Sequence, residues 1–510
     1  MRNNVLINKS TYGTAVAFAL SGSDKSKYST SSNNNLFYSG TPSSTKLVYS
    51  HTGNTSYQTL ANYKTYIASA DANSLSGDIT FLSTDIDNAN FLHPDPSVQL
   101  LVESSGQKIT GVDDDMDAVG SRITYPKVGQ LNGGGWAPDL GAVEYDGTPM
   151  PGLGGTKTVG TGKDYATIEA AISALNTIGA APGGVVFAVD AGHTETFTTA
   201  TAGVIESGGA SDRLVTFRKE GVGANPLITA PEGVGALDGI IVFNGSDYVV
   251  IDGIDVQEDN TNNTDDTKRM EWGYAILKKD ATDGAKNITI KNCTITLNKT
   301  SGNTTYGIYI NNHTPSSLTP LSISNASGQT DYVTTENNTI TNVYNGLYSL
   351  GHTSYTNTYL NVKGNTINDY IQYGIYLQNE YNDSIHRNTI KNASSTTTAF
   401  GIYTTNVYTL ITQQNKISGL STSSTSDAVY GIYINGGSNS KLYHNRITSL
   451  TANSSTNANA VNGIYLMGNT DVIYNSVVLS CSAGGMGFGS NALYANTSYF
   501  ISVRNNIFIN

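Results

Sequence analysis

Cysteines, charges and long apolar runs are all scarce in this chain of 510 residues. It has two cysteines and no cluster of cysteine and histidine with the spacing of a zinc site. No stretch approaches the ~18 consecutive apolar residues that a transmembrane helix needs. The sequence therefore predicts neither a zinc centre nor a membrane span.

The charges that are present are mostly acidic. Lys and Arg number 28 against 40 Asp and Glu, which gives a formal net charge of −12 and a pI near 5.0. A nucleic-acid-binding protein would show a basic face, and the overall composition offers none. The chain is instead rich in Tyr, Asn, Thr, Ser and Gly, which is typical of extracellular repeat proteins. We therefore predict no nucleic-acid partner and a location outside the cell or at its surface.

Two interleaved ladders of short motifs run through the chain. In the first, an Asn stands two residues before an Ile or Val, with Cys293 in the same place one step earlier; the members are Asn338, Asn365, Asn388, Asn415, Asn445, Asn475 and Asn505. In the second, Gly-Ile-Tyr or a close variant recurs once per period. Self-similarity at a period of ~20–50 residues indicates a solenoid or a propeller.

The residue types within each period predict an all-β solenoid. Short runs such as 248–251, 287–290 and 500–503 are β-branched or aromatic and are bounded by Asn, Gly and Ser. No repeat of the ladder contains an amphipathic stretch long enough for a helix. Short strands without helices fit a parallel β-helix, in which each coil stacks on the previous one at ~4.8 Å and like residues stack on like.

The chain resembles the pectin-lyase-like superfamily of right-handed parallel β-helices, of the kind found as repeats in large secreted bacterial surface proteins. Residues 158–172 resemble that family's entry segment, whose short capping helix we expect near 165–176, and residues 183–189 resemble its first core strand. Residues 33–145, which end in Pro138-Asp-Leu-Gly-Ala-Val-Glu-Tyr145, resemble the closing segment of such domains. The superfamily includes lyases, hydrolases, adhesins and phage tailspikes, so the resemblance implies a fold and not one function.

The order of these segments predicts two domains. Residues 1–145 correspond to terminal coils and a closing segment, residues 146–157 to a Pro/Gly linker, and residues 158–510 to a second β-helix that is open at its C-terminal end. Cys293 and Cys481 would lie about six coils or ~30 Å apart, too far for a disulfide.

The two ends of the chain carry the same motif, which predicts an assembly joint. Residues 2–5 and 7 correspond to residues 504–507 and 509, and Met1 replaces Val503 as one apolar residue for another; the joint residues are Arg2, Asn3, Asn4, Val5, Ile7, Val503, Arg504, Asn505, Asn506, Ile507 and Ile509. Because this motif also opens the chain, the apolar stretch 15–20 is not read as a signal peptide, and we expect the export signal to lie outside this sequence. The expected partners are copies of this chain, or neighbouring identical repeats, joined head to tail; folding back onto the same chain is the alternative.

The regular body of the second domain is poor in acids. Beyond Asp383 only Asp427 and Asp471 remain, whereas glycosidases need a pair of carboxylates at one glycosidic bond. Asn469-Thr-Asp471 resembles one short motif of polygalacturonases, but the companion motifs do not follow it, so we interpret it as a turn between strands. The sequence therefore predicts no catalytic residues and no enzyme.

One acidic cluster is a candidate calcium site. Asp113, Asp115 and Asp117 place carboxylates at alternate positions before the closing segment, and oxygen ligands of this kind are those that calcium takes. The alternative is a solvated acidic loop without any cofactor.

Strand alternation predicts that the tyrosines of the second ladder face outward, since the preceding Ile or Leu faces the core. We call this set the tyrosine stripe: Tyr309, Tyr348, Tyr376, Tyr403, Tyr433, Tyr465 and Tyr494. Such rings either contact a carbohydrate, or stack on one another, or pack against a neighbouring filament.

Three classes of function remain at this point. The matched ends and the lack of a catalytic constellation favour a structural or adhesive extracellular protein, a repeat or subunit of a filament or stalk. The tyrosine stripe favours a cell-surface carbohydrate-binding module. The resemblance alone allows a polysaccharide lyase or glycoside hydrolase.

Overall fold

The computed structural model describes the chain except for residues 23, 25–27, 30, 52–54, 68–69, 72–73, 99–100, 107–108, 110, 118–119, 121–137, 148–151, 212, 236, 260–267, 301–303, 482–484 and 497. The chain forms two compact units, Met1–Pro151 and Gly152–Asn510.

The second unit is a parallel β-helix, and its first face is a 12-stranded parallel sheet, which we call sheet A. Its strands follow one another in chain order across the sheet, one from each coil, because every coil returns to the same face. They are Leu153–Val159, Ala180–Asp190, Val215–Glu220, Val249–Asp252, Thr289–Lys291, Thr334–Glu336, Asn361–Lys363, Ser384–His386, Ile411–Gln413, Ser440–Tyr443, Thr470–Ile473 and Ile501–Arg504.

The other faces belong to a 20-stranded network. One stack, sheet B, follows the asparagine ladder, and a second stack, sheet C, carries the Gly-Ile-Tyr motifs; two long strands run through both. The network comprises Thr194–Thr196, Val204–Ile205, Leu227–Thr229, Gly239–Asn244, Asp255–Gln257, Trp272–Leu277, Thr294–Thr296, Tyr306–Ile310, Thr339–Leu350, Asn357–Thr358, Thr366–Tyr381, Thr389–Ser395, Ala399–Tyr408, Lys416–Thr422, Val429–Asn435, Arg446–Thr451, Val461–Met467, Ser476–Val478, Ser490–Ala495 and Ile507–Ile509. The predicted all-β, parallel β-helix class is confirmed.

A short helix, Ile168–Ile178, caps the entry to this β-helix, close to the predicted 165–176. Thr167 begins it by accepting a hydrogen bond from the backbone N–H of Ala170. Ile168, Ile172 and Leu175 bury one face of the helix against the first coils. The preceding strand, Leu153–Val159, takes in the last residues of the predicted linker, so ordered structure starts earlier than the sequence suggested.

The asparagine ladder is a buried hydrogen-bonded column at the corner between sheets A and B. The side chain and the backbone N–H of Asn415 both donate to Oδ1 of Asn445, at 2.9 and 3.1 Å, and Asn445 repeats this pattern toward Asn475. The residue before each ladder position, such as His444 or Tyr474, has a positive φ, which lets the chain turn the corner.

The last step of the ladder differs from the prediction. Asn475 donates to Asn506, at 3.0 Å, and not to Asn505, which takes the positive-φ position with φ 53°. The last coil is therefore one residue longer, and Phe508 rather than Ile507 stands beside Val477.

The core is a set of apolar columns. Ile340, Ile367, Ile390, Ile417 and Ile447 lie in register and are fully or almost fully buried. Sheet C approaches them closely at its glycines: a Cβ on Gly401 would lie 2.5 Å from the Gly431 carbonyl oxygen and 2.7 Å from Ile417. Glycine is required there because the coils leave no room for a side chain.

The first unit contains strands Val5–Ile7, Ala15–Leu20, Leu36–Tyr38, Lys46–His51 and Thr55–Tyr57 and the helix Leu60–Ile67. Asn4 donates to Oδ1 of Asn35 from both its side chain and its backbone N–H, at 2.8 and 3.0 Å, which is the bonding pattern of the ladder in the second unit. Asn3 and Asn34 precede these residues with positive φ. Neither this helix nor any other in the described part of the chain is long and apolar enough to cross a membrane.

Candidate functional site

The tyrosine stripe lies on the outer side of sheet C, one ring per coil. Ring centroids of successive tyrosines are 4.2 to 6.0 Å apart along the stripe. The closest pairs are parallel stacks, Tyr465 on Tyr494 at 4.2 Å and Tyr348 on Tyr376 at 4.3 Å. Much of the surface of these rings is therefore buried against the neighbouring rings of the stripe.

A second column of aromatic side chains covers part of the stripe. Tyr373, Phe400 and Tyr430 stack on one another at 5.0 and 5.1 Å and contact the stripe rings of their own coils. Tyr309 and Tyr376 keep only 5% and 8% of their surface exposed. Partial burial raises the pKa of Tyr430 to about 12. The stripe is therefore a poorer candidate for a ligand surface than its outward direction suggested.

A different set of tyrosines is exposed at the turn between sheets C and A. We call it the exposed row; its members, with their exposed fractions, are Tyr332 (52%), Tyr359 (46%), Tyr381 (44%) and Tyr408 (40%). Tyr332 and Tyr359 lie in adjacent coils and stack at 4.8 Å, and Tyr381 pairs in register with Tyr408. Sequence analysis missed this row, although each member stands two or three residues before a strand of sheet A.

The exposed row leads to a groove of about 510 Å³ at the same turn. Tyr408 is the residue before Thr409, with which the groove begins. The groove is lined by Thr409, Ile411, Asn439, Ser440, Lys441, Asn469, Thr470, Asp471 and Phe500.

The groove combines an aromatic ring with charged and hydrogen-bonding groups. Lys441 and Asp471 are neighbours in register on adjacent strands, and Asp471 lies 3.9 Å from Arg504. The Phe500 side chain is 88% exposed. The Ser440 hydroxyl is buried and has no hydrogen-bond partner among the described residues. The interpretation of Asn469-Thr-Asp471 as a turn holds only for Asn469, because Thr470 and Asp471 belong to strand Thr470–Ile473.

The charge of this part of the β-helix is opposite to that of the whole chain. Residues 384–510 contain six cationic residues and two acidic ones, a formal net charge of +4, in a chain whose total is −12. The cations are Arg387, Lys391, Lys416, Lys441, Arg446 and Arg504, and the acids are Asp427 and Asp471. An average over the whole chain conceals this local excess of positive charge.

Two of the three acids proposed for calcium, Asp115 and Asp117, are engaged within the first unit. Asp117 lies 2.6 Å from His93, and Asp115 accepts hydrogen bonds from the backbone N–H groups of Asp117 and Glu144. Among the described residues, no group of three or more His, Cys, Asp or Glu side chains is arranged to hold a metal ion. Calcium at Asp113, Asp115 and Asp117 stays a prediction, as does the assembly joint.

No protein-family model matches this sequence, and no curated protein matches it. Solved structures do resemble it. The GH136 lacto-N-biosidase from Eubacterium ramulus matches with 11% identity and a TM-score of 0.41, over 68% of each chain. The mannuronan C-5 epimerase AlgE6 A-module from Azotobacter vinelandii matches with 13% identity and a TM-score of 0.39, over 67% of this chain and 93% of that one. A tailspike protein of E. coli bacteriophage HK620 in complex with a hexasaccharide matches with 13% identity and a TM-score of 0.37, over 66% of this chain and 61% of that one.

Two predictions from the sequence are corrected by these similarities. The prediction of a structural filament protein is wrong, and so is the prediction that the chain is not an enzyme, because the β-helices similar to this one are carbohydrate-active proteins. The filament prediction rested on the matched ends, the open second domain and the lack of a catalytic constellation, and the prediction of no enzyme rested on the paucity of acids. The architecture itself is confirmed by the strand order: the second unit is a parallel β-helix, as the resemblance predicted.

Proposed function

We propose that this protein is an extracellular carbohydrate-active β-helix that binds an acidic polysaccharide along the exposed row and in the groove. The observation that carries the proposal is the position of four exposed tyrosines, one per coil, next to a groove lined by Lys441, Asp471 and Phe500.

The exposed row suits an extended sugar chain. Aromatic rings offer flat apolar surface to the faces of sugar rings, and here the rings recur coil after coil along the solenoid. Their phenolic hydroxyls and the neighbouring side chains of Asn439 and Asn469 supply hydrogen bonds at the rim of the apolar surface. A site that combines apolar walls with a few placed polar groups is typical of ligand recognition.

The local charge selects the class of sugar. Lys441 lies in the groove, and residues 384–510 around it carry a net positive charge, so carboxylates or sulfates on a polysaccharide are attracted to the groove. Tyr332, Tyr359 and Tyr381 precede this stretch and contribute their rings rather than charge. Asp471 beside Lys441 accepts hydrogen bonds from sugar hydroxyls and limits the positive charge at the groove floor.

Binding can be tested by calorimetry with polygalacturonate, alginate and uncharged dextran. We expect the two acidic polymers to bind and dextran to bind at least tenfold more weakly. Tyr381→Ala combined with Tyr408→Ala should weaken binding, whereas Tyr474→Ala should not, although Tyr474 is even more exposed (51%) on another corner of the β-helix. Lys441→Ala should weaken binding and reduce its salt dependence, whereas Lys416→Ala, outside the groove, should not.

The outcome that contradicts the proposal is equal binding by the tyrosine double variant and the parent protein. Equal affinity for dextran and the acidic polymers would contradict the assigned class of sugar. Circular dichroism of each variant separates lost binding from lost folding.

A second candidate function is chemical processing of the bound polysaccharide. Lys441 and Asp471 adjoin in the groove, so that one cation can neutralise a sugar carboxylate while one carboxylate can accept or donate a proton. Assays for new reducing ends, unsaturated products and C-5 inversion on the polymers that bind would detect such activity. Activity that survives Asp471→Asn would show that the groove is not its site.

A further inference from the structure

Two buried carboxyl groups bracket the turn that carries Tyr381 of the exposed row. Glu380 and Asp383 are 0% and 2% exposed, whereas Tyr381 between them is 44% exposed. Asn382 has φ 60°, and this positive φ brings the chain round so that both acids point inward and Tyr381 points outward. Asp383 stands in register between Leu360 and Leu410, in a column of the core that is otherwise mostly apolar.

Each acid has one oxygen that is bonded and one that is not. Oε1 of Glu380 accepts from the hydroxyl of Ser349 and, at 3.1 Å, from the side-chain amide of Asn357. Oδ1 of Asp383 accepts from the backbone N–H of Leu360 at 2.9 Å. Oε2 of Glu380 and Oδ2 of Asp383 are buried without a hydrogen-bond partner among the described residues. A carboxylate cannot stay ionised cheaply in this setting, whereas a protonated carboxyl group can.

The other charged groups near the pair do not neutralise it. Lys278 and Asp331 act on Glu380 in opposite directions, the first favouring its ionised form and the second opposing it. Lys278 donates its hydrogen bonds to the Gly328 carbonyl and the Thr330 hydroxyl, and Asp331 lies 3.5 Å from Lys286. Burial therefore dominates: it raises the pKa of Glu380 to about 8 and the pKa of Asp383 well above its ordinary value.

We infer that Glu380 and Asp383 are positioning residues, which as neutral acids hold the Tyr381 turn in the exposed row and release it when they ionise. The inference rests on the proposed function, because it makes the same surface sensitive to pH. Ionisation of both acids would place two like charges at the ends of a four-residue segment inside the core, and moving that segment outward relieves this cost. Tyr381 would move with it and leave the line formed with Tyr359 and Tyr408.

The direction of the pH effect follows from the raised pKa values. The folded protein holds protons on these acids that the unfolded chain, with ordinary pKa values near 4, has already lost. The stabilising contribution is therefore complete at low pH and declines as the pH rises toward the folded pKa of about 8. Polysaccharide carboxylates are already ionised over this range, so a loss of binding is not due to the ligand.

The test compares the parent protein with the double variant Glu380→Gln, Asp383→Asn, whose amides imitate neutral acids. Between about pH 7 and about pH 9 we expect the affinity of the parent protein for polygalacturonate to fall on the order of tenfold. The affinity of the double variant should change little over the same range. If the two groups instead stabilise the turn as ionised carboxylates, the double variant should bind polygalacturonate more weakly than the parent at both pH values. That outcome would overturn the inference.

A second measurement does not depend on any ligand. Tyr381→Trp places a fluorescent reporter in the turn, in both the parent and the double-variant background. We expect its emission to shift toward that of exposed Trp between about pH 7 and about pH 9 only where Glu380 and Asp383 are present. A pH-independent emission, or the same shift in both backgrounds, would overturn the inference even if the polysaccharide binds. A shift as expected, with no binding at either pH, would instead contradict the proposed function alone.

If the double variant does not fold, Glu380→Gln alone should retain about half of the pH effect, and an undiminished effect would count against the inference.

Discussion

Tyr348 and Tyr376 stack with their ring centroids 4.3 Å apart and their planes within 3° of parallel. They belong to adjacent coils and face outward. Only 8% of the Tyr376 surface is nevertheless exposed, because neighbouring rings cover it. Tyrosines on this β-helix therefore fall into two groups, the packed stripe on sheet C and the exposed row at the turn. The two groups should respond differently to substitution.

We predict that Tyr376→Ala lowers the free energy of unfolding by about 3 kcal/mol, since it removes a mostly buried ring and the stacks on its neighbours. Tyr359→Ala, in the exposed row at 46% exposure, should cost less than about 1 kcal/mol and act on polysaccharide binding instead. Urea unfolding followed by circular dichroism measures both. Equal losses of stability would show that the division into two groups is wrong.

The asparagine ladder should be as sensitive as the core. Asn415 is fully buried, accepts from Asn388 and donates to Asn445 and to the Ile385 carbonyl. Asn415→Ala leaves buried donors and an acceptor unpaired, and we expect a loss of about 3 kcal/mol. Asn392→Ala, at an exposed position of strand Thr389–Ser395 where the side-chain amide donates to Asn368, is the matched control and should lose under about 1 kcal/mol. A ladder variant no less stable than this control would mean that the column is not needed for the fold.

The fold could be predicted because the ladders report it directly. An Asn followed two residues later by Ile, repeated coil after coil, fixes both the turn and the core position, and the structure keeps this register through Asn475. The error at the last step had a local cause, since Asn505 and Asn506 are the same residue type and only the hydrogen bonds show which one enters the ladder.

The candidate site was less predictable because its residues obey no single motif. Tyr332 and Tyr359 occupy the positive-φ position of their turns, whereas Tyr381 and Tyr408 precede it by one residue. Their common exposure depends on how four turns of different length superimpose. The burial of Glu380 and Asp383 could not be predicted from the sequence either, since acidic residues in a turn are normally expected to be exposed to solvent. Only the backbone conformation of the turn shows that both side chains point inward.

Close approach between coils gives a sharp prediction for glycine. Gly401→Ala would place a Cβ 2.5 Å from the Gly431 carbonyl oxygen, and backbone cannot move away without disturbing the adjacent coil. We expect a loss of 2 kcal/mol or more, roughly the cost of an overpacked core. Gly22→Ala, where a Cβ would meet nothing within 4 Å, should be nearly neutral. Thermal unfolding of the two variants compares them directly, and a neutral Gly401→Ala would indicate that the coils are spaced more loosely than described.

The two cysteines should differ in reactivity. Both are free; burial raises the pKa of the Cys293 thiol to about 12, while Cys481 is only partly buried, which also raises the pKa of its thiol. Because the thiolate is the reactive form, iodoacetamide should modify Cys481 first and leave Cys293 untouched until the protein unfolds. Mass spectrometry of peptides after timed labelling measures the order. Faster labelling of Cys293 in the folded protein would show that its coil opens.

Lys278 should make stability rise with pH, opposite to the effect of Glu380. It is 1% exposed, and burial lowers its pKa to about 8. The unfolded chain, with an ordinary lysine pKa near 10.4, holds the proton that the folded protein loses between these values, so the unfolding free energy rises over that range. The gain attributable to this one group is on the order of 3 kcal/mol at most.

Lys278→Met removes the titrating group. The contributions of the many tyrosines that titrate in the same pH range cancel in the difference in unfolding free energy between parent and variant. We therefore expect that difference to grow in favour of the parent from about pH 8 to about pH 10.5. A difference that stays constant over this range would mean that Lys278 keeps its charge in the folded protein, and that Asp331 and Glu380 compensate it more strongly than burial opposes it.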